Sequence, residues 1–289
     1  MANLQQAGVK PPISDDEPAA LVADYERRSR RFETPCGDGS LVWHMWGEGP
    51  SLVLCHGSHG SWTHWIRNID VFAQRWTVWV PDLPGYGDSA NAPGDEHVAI
   101  SAALAAGLIE LVGAALPVDL IGFSFGGVAA AHLAANHPDL VQRLILVGTG
   151  GLETPMGNVQ LQRVRHLRGV ERYEGVRANL LGLMLHDPAS ADALAVHLQE
   201  INTARGRLNP APLVLPDRLL QALPRITARV SAIWGEHDIP HPALWGQEEA
   251  LRAFHPDLAF RVIADAGHWA MYERPDAFNA TVLELLPQL

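Results

Sequence analysis

Cysteine is scarce in this chain. Its 289 residues contain only Cys36 and Cys55, too few for a disulfide framework. Cys55 lies inside an apolar run and is expected to be a buried, unreactive thiol. Long hydrophobic runs are also missing, since none approaches the ~18 apolar residues of a membrane span. The opening segment, MANLQQAGVKPPISDDEPAA, has neither a basic start nor an apolar stretch, so it is not expected to be a signal peptide. Positive charge is in deficit: 21 Lys and Arg face 32 Asp and Glu, for a net charge of −11. A nucleic acid backbone would be repelled by that balance. With 47% hydrophobic and 18% charged residues, the chain can build a sizeable core and does not read as disordered. The expectation is a soluble, cytoplasmic protein, monomer or homodimer, with a small-molecule partner and neither cofactor nor membrane contact.

Residues 1–15 are polar and contain Pro, as in a loose arm, and 16–31 read as a short helix. Strand candidates at 31–36 and 41–46 flank the turn signal Gly37-Asp38-Gly39. Short apolar runs then recur at 51–55 (SLVLC), 76–80 (WTVWV), 118–122 (VDLIG) and 143–148 (RLILVG). Helix-like stretches at 62–74, 97–115 and 127–136 separate them. Unbroken apolar strands alternating with helices predict a parallel sheet covered on both faces. The alternation stops over 152–225, where helical patterns dominate, such as Leu194, Leu198, Ile201 and Arg205 along one face. It returns with strand-like runs at 229–234 and 259–264 and a final helix over about 275–286. The expected organisation is an N-terminal arm and short helix (1–31), an α/β core (32–151 and 226–289) and a helical insertion (152–225). That insertion would form a lid over the sheet's carboxyl edge, where open parallel sheets carry their sites.

One pentapeptide in this pattern carries chemistry. GFSFG (122–126) follows the strand VDLIG directly, and an Ala-rich helix starts from it at once. A side chain at so sharp a corner is held in an unfavourable conformation, and its neighbours at −2 and +2 must lack side chains. That makes Ser124 a candidate nucleophile, with the helix N-terminus aimed at it. Serine needs a base, normally histidine oriented by a carboxylate. His268, in ADAGHWAMYERP, lies after a predicted strand and before the last helix, whereas His132 and His137 belong to the Ala-rich helix and its end. Asp238, in WGEHD, ends the preceding strand, with Glu236, Asp265 and Glu153 as rivals. Asp82 sits in a Pro/Gly turn and reads as a loop organiser. His56 and His59 lack the further ligands of a metal site, so no metal is expected.

Taken in order, Ser124, Asp238 and His268 resemble the nucleophile, acid and base of alpha/beta-hydrolases. The likeness runs from about residue 40 to the C-terminus, through HGSHGSW (56–62), DLPGYGDS (82–89), GFSFGG, GEHD and GHW. It implies an alpha/beta-hydrolase fold in which 152–225 is the cap, and an oxyanion hole from the N–H groups of Phe125 and Ser58. A serine at the elbow disfavours the haloalkane-dehalogenase and epoxide-hydrolase branches, whose elbow residue is a carboxylate. The cap holds nine Arg against seven acids, net +2, while the rest of the chain is −13. A basic lid favours an anionic substrate. Trp269 after the histidine resembles the carbon–carbon bond hydrolases of aromatic ring-cleavage products, which use a cap arginine for the substrate carboxylate. Arg205, Arg207, Arg163 and Arg168 are the candidates here. Those enzymes commonly carry Asn before the nucleophile and an HGGGPG loop, where this chain has Phe123 and HGSHGS. The primary expectation is therefore a serine hydrolase of a small carboxylic ester, with Phe123 and Trp269 among the substrate contacts. The alternatives are hydrolysis of a vinylogous diketo acid and a non-catalytic binding protein on the same fold.

Overall fold

Eight strands form one sheet in the order β1-β2-β4-β3-β5-β6-β7-β8. The computed structural model describes residues 16–92, 94 and 96–286, and the arm expected over 1–15 lies outside them. Helix α1 (Asp16–Arg28) leads into the antiparallel hairpin β1 (Arg30–Cys36) and β2 (Gly39–Trp46). Strand β3 (Ser51–Cys55) follows, then α2 (Ile69–Phe72) and β4 (Thr77–Pro81). Helix α3 (His97–Leu111), β5 (Val118–Phe123), α4 (Phe125–Asn136) and β6 (Val141–Val147) complete the first part. From β3 through β8 the neighbours pair in parallel, and β2 pairs antiparallel with β4.

The apolar runs are strands because both of their faces are covered. In β3, Val53 and Cys55 pack with Leu104 and Leu108 of α3 and Val128 and Leu133 of α4. Leu52 and Leu54 face the other way, toward Ile69 and Phe72 of α2. Each such side chain contributes roughly 1.5–3 kcal/mol by leaving water. Small Ala129, Ala130 and Ala134, all 0% exposed, let α4 lie close against the sheet.

Between β6 and β7 (Arg229–Gly235) the described chain has helices and no strand: α5 (Gly169–Leu183), α6 (Ala193–Arg205), α7 (Ala211–Val214) and α8 (Arg218–Ala222). Asn202 of α6 ties this segment to the core, bonding Ser61 and Thr63 in the loop after β3. Helix α9 (Leu244–Arg252), β8 (Ala259–Ile263), α10 (Ala270–Glu273) and α11 (Pro275–Leu285) close the fold. One expectation needs correction. The helix read over 62–74 is a 3-10 turn at Trp62–Trp65 followed by the single turn α2. Asn68 interrupts it, because its side-chain amide donates to Met271 O and Asn279 Oδ1 at 3.0 and 2.8 Å. No helix of the described residues is long and apolar enough to cross a membrane.

Candidate active site

The strand order reverses at β3, which has β4 on one side and β5 on the other. Loops leaving the carboxyl ends of β3 and β5 diverge there and open a crevice. The β5 loop is a single residue, Ser124, held at φ 52 and ψ −121 between the strand and α4. Such a backbone costs on the order of 1–3 kcal/mol for a non-glycine residue, so the surroundings must enforce it. They do so through glycine. A Cβ on Gly122 would lie 2.5 Å from Gly126 O, and one on Gly126 would lie 2.2 Å from His56 O. Strand and helix therefore meet closely enough to force the turn. Ser124 O accepts from the N–H of Gly127 at 2.9 Å, which starts the helix, while Phe125 N–H belongs to the first-turn amides that a helix leaves unpaired.

Two other strand ends bring the partners. His268 follows β8, and its Nε2 lies 3.0 Å from Ser124 Oγ while its Nδ1 lies 2.8 Å from Asp238 Oδ2. Nδ1 carries the proton toward the carboxylate, which leaves Nε2 as acceptor for the serine O–H. Asp238, beyond β7, is 1% exposed and also accepts from His241 N–H at 2.9 Å. Burial pushes its carboxyl up, but the imidazoles of His268 and His241 outweigh that and hold it well below the usual carboxylate range. The rivals stand elsewhere: Glu236 accepts from Asp265 N–H at the surface, and Glu153 is exposed. The loop carrying His268 is pinned. Trp269 N–H donates to Met184 O at 2.7 Å, and Gly267 N–H to buried Glu273 at 2.6 Å.

His56 uses both ring nitrogens within the protein, Nδ1 on Gly57 O at 2.7 Å and Nε2 accepting from Leu83 N–H at 2.8 Å. It is a neutral brace for the loop that carries Ser58. Asp82 organises the next loop as expected, accepting from the N–H of Trp62 and Asp88, both at 2.9 Å, and burial pushes its carboxyl up to about 6.

With Asp238 buried behind the imidazole, Ser124 and His268 open on a cavity of about 220 Å³. Ser58, His59 and Phe123 of the core line it, together with Met156, Leu183, Met184, Val214 and Leu215 from the helical segment. Gln199 and His241 add polar groups. No arginine or lysine among the described residues lines it, which corrects the expected cation contact. Arg205 reaches outward to Asp88 at 3.1 Å, Arg207 bonds the carbonyls of Gly87, Ser89 and Arg205, and Arg168 those of Arg165 and Leu167. Arg163 is exposed. These guanidinium groups have loop carbonyls, a surface carboxylate or solvent to satisfy them, and none is drawn inward. Trp269 is likewise not a wall: it is fully buried, and its Nε1–H donates to His64 O at 3.0 Å. His241, Gln199 and Glu273 escaped the sequence reading. Only the proximity of His241 to Asp238 in DIPH offered a signal.

Burial alone pushes His56 down to about 4, and it acts first in lowering His44 and His132 to about 4 as well. A depressed histidine leaves the folded state neutral, so its stability contribution is complete above the ordinary 6.5 and is lost as pH falls toward 4. Urea unfolding should show stability dropping by at least about 1.4 kcal/mol per pH unit across that window. A flat profile would mean these imidazoles are not buried neutral.

The fold agrees with comparisons to known proteins. Residues 50–182 match the model of the alpha/beta hydrolase fold. A 2-hydroxy-6-oxononadienedioate/2-hydroxy-6-oxononatrienedioate hydrolase of Comamonas testosteroni is 29% identical over 262 residues, covering 83% of this chain and 88% of that protein. A 2-hydroxy-6-oxo-6-phenylhexa-2,4-dienoate hydrolase of Burkholderia cepacia is 28% identical over 292 residues, covering 95% and 98%. Among solved structures, naproxen esterase (carboxylesterase NP) of Bacillus subtilis superposes with a TM-score of 0.73 at 20% identity, covering 95% of this chain and 99% of that one. This last likeness is one of fold. With its mostly parallel sheet, a matching model over residues 50–182 and relatives aligned along most of their length, the chain has the alpha/beta hydrolase fold and is similar to hydrolases that share it.

Proposed function

We propose that the chain is a serine esterase for a small, uncharged carboxylic ester, with residues 152–225 acting as its cap. One observation carries the reading: a hydrogen-bonded Ser124–His268–Asp238 series stands at a mainly apolar cavity that no guanidinium or ammonium group of the described residues enters. In this mechanism Ser124 Oγ attacks the ester carbonyl as His268 Nε2 takes its proton. Asp238 keeps Nδ1–H oriented and stabilises the imidazolium. The N–H groups of Phe125 and Ser58 receive the oxyanion, each worth about 3–4 kcal/mol in the transition state. His268 then protonates the departing alcohol, and it activates the water that cleaves the acyl-enzyme. Phe123 and the cap's Met184 and Leu183 would pack on the acyl group.

Charge on the substrate tests this directly. Moving a carboxylate into a cavity that no arginine or lysine of the described residues lines costs desolvation that no such cation offsets. Neutral p-nitrophenyl butyrate should therefore exceed p-nitrophenyl hemisuccinate in kcat/KM by about tenfold or more, a difference of ~1.4 kcal/mol. The reverse order would overturn the reading. A second reading, carbon–carbon hydrolysis of a vinylogous diketo acid, draws support from the names of the aligned relatives. It predicts that a yellow dienoate is bleached faster than either ester is cleaved.

A further inference from the structure

Three buried side chains at the site form a second kind of constellation. The ligand atoms of Asp238, His241 and His268 all lie within 4.8 Å of one another. His241 Nδ1 stands 3.3 Å from Asp238 Oδ1, a charge contact without the alignment of a hydrogen bond, and it makes no hydrogen bond among the described residues although the residue is only 5% exposed. An orphaned ring nitrogen this deep is costly unless something can use its lone pair. Its position is fixed by the loop, because His241 N–H bonds back to the same carboxylate and prolines stand on either side at 240 and 242. On the other flank, Gly148 has no side chain to intrude. A Cβ there would sit 3.1 Å from both Asp238 Oδ2 and His268 Nδ1.

We propose that Asp238, His241 and His268 form an inhibitory binding site for a zinc ion, one that captures the base of the proposed mechanism instead of assisting it. Two imidazole nitrogens and one carboxylate suit zinc better than calcium or magnesium, which prefer all-oxygen shells. Around a tetrahedral zinc, ligand atoms ~2.0–2.1 Å from the metal stand roughly 3.3 Å apart. Asp238 Oδ1 and His241 Nδ1 already have that spacing, while His268 Nδ1 lies 2.8 Å from the other oxygen, Oδ2, so a rotation of the carboxylate with a small opening of that pair brings one oxygen and both nitrogens around the ion. On binding, the His268 proton moves by way of solvent from Nδ1 to Nε2, and Nδ1, now unprotonated, donates its lone pair to the ion. The Asp238–His268 hydrogen bond is lost, and water from the cavity fills the fourth position. An imidazole held this way can no longer be stabilised as imidazolium by Asp238, so general-base catalysis fails.

Binding and inhibition can be read separately, so failure of the esterase reading would not be mistaken for failure of the site. A second group, Glu236, His237 and Asp265, also clusters at the surface, and the full-length His237→Ala variant removes its imidazole from the measurement. In that background, zinc sulfate competed against a chromophoric chelator should show one site per chain. Adding His241→Ala or, as a polar replacement, His241→Gln should weaken binding about tenfold or more, with far-UV circular dichroism confirming that each variant is folded. Ester turnover should fall over the same zinc range and return with EDTA. Absence of a bound zinc, or binding that both folded His241 variants leave unchanged, would overturn the proposal.

Discussion

Replacing Ser124 with alanine is expected to reduce turnover of p-nitrophenyl butyrate by about 10⁴- to 10⁶-fold, the range seen when a serine nucleophile is removed from a working triad. Several hydrogen bonds set this size. Ser124 Oγ is the atom that His268 Nε2 faces at 3.0 Å, and without it neither attack nor acyl-enzyme formation can occur. Any remaining rate would come from water, aided by the amides of Phe125 and Ser58. The change should leave the fold intact, because alanine keeps the Cβ and the same backbone demand at φ 52. Initial rates together with an unfolding midpoint close to that of the parent protein would separate chemistry from stability. A variant with turnover within tenfold of the parent would remove Ser124 from the mechanism and move attention to the cavity as a binding site.

The strands and the elbow were readable from the residues because each answers to a local rule. Runs such as SLVLC and RLILVG are apolar on both faces, and only a strand covered on both sides accommodates that at such lengths. Their observed bounds, Ser51–Cys55 and Val141–Val147, differ from the expected ones by no more than two residues. That Ser124, Asp238 and His268 meet was legible because each follows a strand and so reaches the same sheet edge. What failed was direction. Arginine counts in 152–225 report how many cations a segment holds but not which way they point, and here Arg205, Arg207 and Arg168 turn to Asp88 and to loop carbonyls. Trp269 failed likewise: its place after His268 said nothing about its ring being claimed by His64 O. Helix α9 was missed because its sequence, LWGQEEALR, has a glycine and little apolar periodicity. It buries only Gln247 and Leu251.

Gly126→Ala is expected to be strongly damaging for a single added methyl. The new Cβ would meet His56 O at 2.2 Å and Cys55 O at 2.6 Å, both of them backbone carbonyls at the end of central strand β3, where no flexible side chain can yield. Relief requires α4 to move away from β3. That would open a core of Ala129, Val128 and Leu133 packed at 0% exposure and weaken several contacts at once. A loss of about 3–5 kcal/mol in unfolding free energy follows, at the upper end for one substitution. The same movement shifts Ser58 relative to Ser124, so any folded fraction should also lose kcat, whereas a purely structural clash would cost stability alone. Gly246→Ala is the matched comparison. Its Cβ would lie 3.7 Å from Thr154 Cγ2 and 3.8 Å from Ala243 Cβ, ordinary contacts within α9, where alanine is the better helix former by about 1 kcal/mol. Opposite signs for the two variants in urea unfolding would establish that contact of α4 with β3, and not glycine content as such, holds the serine at its corner. If both variants shifted stability alike, the close approach would have no role in shaping the site.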